Sequence, residues 1–115
     1  MKAIKALMLI LFSVVSLQLS AQKPQKEIFK VWGNCEMCQS KIEKAAKNVD
    51  GVKSARWSVA TNQLTVKFNA EKTSVEVIKI AIAQAGYDSQ NHRSTDEVYN
   101  SLHGCCQYER PEKIK

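Results

Sequence analysis

Cys35 and Cys38 are separated by two residues in the run Gly33-Asn34-Cys35-Glu36-Met37-Cys38. A thiol pair at that spacing can grip a soft metal ion, exchange electrons as a dithiol, or close as a structural bridge. The pair falls where a strand-like segment gives way to a helical one. One cysteine on the loop and one on the first helical turn can aim both sulfurs into the same small volume. The unpaired amides and dipole of a helix N-terminus favour thiolate over thiol there. Two thiolates suit Cu(I) or Hg(II), and with added ligands Zn(II) or Cd(II), whereas hard ions prefer carboxylate and water. On spacing alone the three readings stay open.

A second pair, Cys105-Cys106, follows His103-Gly104. Adjacent cysteines bridge each other only by distorting the peptide between them. Again three readings compete. Cys105 and Cys106, with His103, add metal ligands at a second site or complete the first; they pair with Cys35 or Cys38 in an oxidised form; or one of them ties the tail down. Four thiolates would favour Zn(II) or Cd(II), and two or three Cu(I) or Hg(II). His92 lies in a polar loop and reads as solvated. The sequence offers no Ser-His-Asp set, paired carboxylates or glycine-rich phosphate loop, so no catalytic machinery is expected.

The elements that must position these sulfurs follow from the apolar pattern. Glu27 to Trp32 reads as a strand that Gly33-Asn34 ends. From Met37 to Val49, Ile42, Ala45 or Ala46 and Val49 recur at helical spacing, and Asp50-Gly51 stops the helix. Val52 to Val59 and Gln63 to Phe68 alternate around the turn Ala60-Thr61-Asn62, which predicts an antiparallel hairpin. Thr73-Ser74 with Glu76 resembles a capping box and opens a second helix through Val75, Ile78, Ile82 and Ala85, ended by Gly86. Tyr87 to His92 is a weaker final strand. The order strand, helix, strand, strand, helix, strand predicts an α+β ferredoxin-like sandwich, a four-stranded antiparallel sheet with both helices on one face. Beyond it, residues 94–115 form a short extension in which Ser94 to Glu97 starts a helix carrying Val98 and Leu102 on one face.

Residues 1–21 read as a signal peptide: Lys2 and Lys5 precede an apolar run from Leu7 to Leu19, and Ser20-Ala21 offers a cleavage site. The run is interrupted by Ser13, Ser16 and Gln18, and falls short of the ~18 apolar residues of a spanning helix. Residues 22–26 are then a flexible lead-in, and 27–93 the folded domain. Removing the leader leaves 15 basic residues against 11 acidic ones, a net +4, scattered rather than striped. Nucleic-acid binding therefore has no support. The expected location is periplasmic or secreted, an oxidising setting in which unprotected thiols tend to pair.

The stretch Val31 to Cys38, then Lys41-Ile42-Glu43-Lys44-Ala45-Ala46, Val49-Asp50-Gly51-Val52, Trp57-Ser58-Val59, Lys72-Thr73-Ser74-Val75 and Ala85-Gly86-Tyr87, resembles the heavy-metal-associated domain family. That family includes copper chaperones, N-terminal domains of metal-pumping ATPases and periplasmic mercury-binding proteins, the last nearest in layout. The resemblance implies that Cys35 and Cys38 are metal ligands, with Cu(I) foremost and Hg(II), Zn(II) or Cd(II) as further candidates. It also implies a metal-transporting membrane protein or another metal-receiving protein as partner, and a monomer. Members usually carry a methionine where Gly33 stands, and Trp32 is expected to fill that space. Met37, between the cysteines, is expected to be exposed. Tyr87 matches a tyrosine that bacterial copper chaperones place beside the metal loop, or else simply packs against the helix end. The sequence thus predicts an exported metallochaperone or scavenger, not an enzyme, with thiol–disulfide exchange through the same cysteines as the alternative.

Overall fold

The computed structural model describes residues 24–112. The predicted leader, residues 1–21, lies outside them, and none of the described helices is long and apolar enough to cross a membrane. Three strands form the sheet: β1 (Gln25–Lys30), β2 (Val52–Trp57) and β3 (Gln63–Phe68), in the order β1-β3-β2 with both pairings antiparallel. Alternation decides which side chains turn inward. Phe29, Ala55, Trp57, Leu64, Val66 and Phe68 are buried, while Ile28, one residue out of phase, stays 53% exposed. Phe29 and Trp57 both pair with Leu64 across the central strand, which stacks the inner face into one block. The predicted hairpin turn closes with Asn62 at φ 59°, the left-handed conformation that asparagine tolerates well.

Helix α1 (Glu36–Lys47) buries Cys38, Ile42 and Ala46, a ladder at intervals of four that runs along a single face. It packs against β2 and against the second helix, α2 (Val75–Gln84). That helix contributes Ile78 and Ile82 to the same core. Its N-cap is Ser74, whose hydroxyl accepts from the Val77 amide at 3.3 Å. Glu76 takes no part in a capping box; its carboxylate reaches His92 Nε2 at 3.0 Å. His92 is therefore not merely solvated as the sequence suggested.

The fourth strand is reduced to a single bridge between Val31 and Ser89. Two hydrogen bonds flank it, from Trp32 N to Asp88 O at 2.9 Å and from Gln90 N to Lys30 O at 3.3 Å. Asn91, at φ 68°, then turns the chain back so that Ser89 bridges His92, and pairing with β1 stops. Asp88, which the strand would have left to solvent or core packing, is instead claimed by the tail. The sheet thus has three strands rather than the four predicted, within an α+β fold.

Beyond His92 the tail folds as the short helix α3 (Asp96–Asn100) and one 3-10 turn, Gly104–Cys106. Thr95 caps α3, its hydroxyl accepting from Val98 N at 3.3 Å. This extension is no appendage, because Cys106 and Tyr108 belong to the buried core cluster.

Candidate thiol site at the head of the first helix

Cys35 is the N-cap residue of α1, in extended conformation, and Cys38 sits inside the first turn. Their sulfurs lie 3.6 Å apart. Local packing fixes the loop that carries them. A Cβ at Gly33 would fall 2.9 Å from the Trp57 ring and 3.2 Å from Ile42 Cδ1, so the backbone there rests directly on those side chains. Trp57 in turn donates its indole N–H to Val31 O at 2.9 Å. The space expected for Trp32 is therefore taken by Trp57. Trp32 instead lies half-buried, with Lys30 Nζ 4.9 Å from its ring centroid.

The two thiols live in different surroundings. Cys35 is partly accessible, and its pKa is lowered chiefly by the Cys38 backbone amide. Burial opposes this, while the Cys38 thiol, the Met37 amide and the Cys106 thiol reinforce it. Cys38 is buried and donates to Asn34 Oδ1 at 3.0 Å. Nothing in the sequence singled out Asn34 beyond its place beside the cysteine, yet it orients the inner sulfur.

The tail brings its own cysteines to the loop. Cys35 Sγ donates to Cys105 O at 3.6 Å, and Cys38 Sγ lies 4.0 Å from Cys106 O. The sulfurs of Cys35, Cys105 and Cys106 all lie within 4.8 Å of one another. Cys105 is exposed and its sulfur stands 3.8 Å from Met37 Sδ; Met37 is 48% exposed, as expected. Cys106 is buried, and burial, followed by the neighbouring Cys38 and Cys105 thiols, pushes its pKa up to about 12. The four cysteines are unbridged. His103 is exposed, caps the 3-10 turn and stands outside the group of three sulfurs.

Tyr87 is fully buried, stacked on Tyr108 with ring centroids 5.6 Å apart. Its hydroxyl makes no hydrogen bond, and burial first, then Cys38 and Cys106, raise its pKa. The residue packs behind the thiols and faces them. Sequence reasoning missed what holds the tail in place. The Tyr108 hydroxyl donates to Gly86 O and accepts from Asp88 N, both at 2.8 Å. Arg110 grips buried Asp88 with two nitrogens, at 2.8 and 3.0 Å, and reaches Asp96 at 2.7 Å and Ser94 O at 2.6 Å.

Donors of this kind, soft and convergent at a helix N-terminus, suit a thiophilic cation or reversible disulfide chemistry. Comparison with known proteins narrows the field. The heavy-metal-associated domain matches residues 33–88. The copper chaperone CopZ of Staphylococcus aureus is 39% identical over 64 residues, which span 55% of this chain and 94% of that protein. Among solved structures, oxidized MerP from Ralstonia metallidurans CH34 is 36% identical with a TM-score of 0.55, covering 57% of this chain and 93% of that one. The Cu(I)-loaded N-terminal domain of a potential copper-translocating P-type ATPase from Bacillus subtilis is 31% identical with a TM-score of 0.55, covering 57% and 84%. The matched family region stops at residue 88 and leaves the tail cysteines outside it. Motif, α+β fold and relatives spanned over nearly their whole length make this chain a member of the heavy-metal-associated domain family.

Proposed function

We propose that the chain is an exported soft-metal-binding protein, a metallochaperone or scavenger, that captures an ion at Cys35 and Cys38 and passes it to a receiving protein. The observation that carries this reading is the pair of sulfurs 3.6 Å apart at the head of α1, one of them accessible and biased toward thiolate. An accessible thiolate can be approached by a partner's thiolate, so the ion can move by stepwise ligand exchange without being released to water. Copper, named in the CopZ and P-type ATPase relatives, supports Cu(I) as the cargo, and the two-thiolate donor set with the resemblance to mercury-binding members of the family supports Hg(II); Zn(II) and Cd(II) fit the same donors less closely. The ATPase relative also supports a metal-transporting membrane protein as the receiver. Export rests on the leader pattern in residues 1–21, and the protein on this reading acts outside the cytoplasm, as the monomer that the family resemblance implies. On this reading the chain is a binding protein rather than an enzyme.

Metal analysis of protein purified without oxygen, beside a Cys35→Ser/Cys38→Ser variant, tests the site. The wild type should carry Cu(I) after anaerobic loading, and the variant should lose that uptake. Equal metal content in both would sink the reading. The same accessible, acidified Cys35 beside a second thiol is also what a dithiol exchanger needs. Failure to take up Cu(I) or Hg(II), together with catalysis of disulfide exchange, would decide for that alternative.

A further inference from the structure

The tail cysteines are not used by the reading above, although the fold spends much of its tail on placing them. Cys106 is 0% exposed, locked between Tyr108 on one side and the metal loop on the other, while Cys105 is open to solvent. The Cys105 carbonyl already accepts from Cys35 and the Cys106 carbonyl lies 4.0 Å from Cys38 Sγ, so backbone and side chain of the 3-10 turn approach the same point. The turn itself is held by Gln107, whose amide donates to Asn100 O and Leu102 O at 3.3 Å, and by the Arg110 and Tyr108 contacts to Asp88 and Gly86. Its position is therefore preset rather than induced.

Sulfur spacing distinguishes coordination modes. With a metal–thiolate bond of about 2.3 Å, two sulfurs stand about 4.6 Å apart in a linear pair and about 4.0 Å apart in a triangle. Cys35 and Cys38, at 3.6 Å, are too close for a linear ion unless the loop spreads. Cys105 and Cys106 are 4.0 Å apart, and Cys35 lies within 4.8 Å of both. Cys38, 3.6 Å from Cys35 and hydrogen-bonded to Asn34, falls outside that group of three. We propose that Cys35, Cys105 and Cys106 form a three-thiolate site for one soft cation, built across the junction of the family domain and its tail and sharing Cys35 with the Cys35–Cys38 pair. This rests on the proposed function only in taking a soft ion as the ligand. Cys35 is then the pivot: an ion held with Cys38 exchanges that sulfur for the tail pair, each tail thiol giving up its proton as its sulfur binds and the released Cys38 thiolate taking one back, a net loss of one proton to solvent. Trigonal coordination is open to Cu(I).

X-ray absorption on the full reduced chain, loaded without oxygen with less than one equivalent of Cu(I), reads the number of bound sulfurs directly. Three sulfurs are expected in the wild type and in Cys38→Ser, and two in Cys105→Ser. Because Cys106 is buried, the exposed Cys105 is the cleaner variant. Cys105→Ser should also lower Cu(I) affinity, measured against a competing chelator, on the order of tenfold or more. Two sulfurs in the wild type, or a third sulfur that disappears in Cys38→Ser but survives Cys105→Ser, would overturn the proposal while leaving the Cys35–Cys38 reading intact. Complete absence of Cu(I) uptake would overturn both.

Discussion

Cys35 and Cys106 belong to one cluster of sulfurs, yet their surroundings pull them in opposite directions. The Cys38 amide holds Cys35 below the ordinary thiol range, so at neutral pH it carries the larger thiolate fraction. Burial holds Cys106 up at about 12, so it stays protonated at neutral pH until an ion displaces its proton. Timed alkylation of the reduced, metal-free protein with iodoacetamide at pH 7 should therefore label Cys35 well before Cys106, and mass spectrometry of digests reads the order. Labelling of Cys106 first would contradict the geometry. Cys35 and Cys38 were legible as a pair from the sequence because both lie within one turn of chain, where local rules suffice. The meeting of Cys35 with Cys105 was not, since it spans 70 positions and depends on packing that no short-range pattern encodes.

At the level of elements, the departures from expectation trace to side chains that found better partners than the pattern implied. Ser74, of the offered Thr73-Ser74 pair, caps α2, while Glu76 turns to His92 instead of back to the helix start. Tyr87 to His92 is the weakest of the expected strands, with no apolar residue after Tyr87, and Asn91 reverses the chain after a single bridge. The hairpin and both main helices were readable because each rests on a repeated apolar period. Gly86 marks the joint between α2 and the tail. It holds φ 108°, and a Cβ there would lie 2.9 Å from Leu102 Cδ2, so both backbone and space demand glycine. Gly86→Ala should destabilise the fold by about 1–3 kcal/mol in denaturant unfolding, with the m-value little changed. A neutral result would mean that residue 86 holds neither this backbone conformation nor this contact with Leu102.

Across the whole molecule, the Asp88–Arg110 pair joins the family domain to its tail. Asp88 is nearly inaccessible, and Arg110 satisfies both of its oxygens while Ser94 N adds a third bond at 2.7 Å. Removing one partner of a buried pair strands the other charge, so Arg110→Ala should cost on the order of 3 kcal/mol. Arg93, 4.0 Å from the same carboxylate, is placed to soften that loss. The variant should also raise the alkylation rate of Cys106 by freeing the 3-10 turn, whereas an unchanged rate would show that Tyr108 and Gln107 suffice to keep the tail seated. A domain of roughly 70 residues is close to the lower limit for a self-sufficient core, and burying Cys106 and Tyr108 enlarges it. That same burial shelters Cys38 and Cys106 from oxidants.

Trp57 gives the protein a signal of its own. Its ring touches the backbone of Gly33, two residues from Cys35, and its indole N–H is tethered to Val31, so any shift of the thiol loop alters the light this buried chromophore emits. Trp32, half-buried beside Lys30 at the same end of the sheet, emits from a wetter place, and Trp32→Phe leaves Trp57 as the single tryptophan. Ion arrival should then be visible as quenching of a single blue-shifted tryptophan, label-free and in real time, and a flat fluorescence trace during Hg(II) addition would show that the ion settles elsewhere.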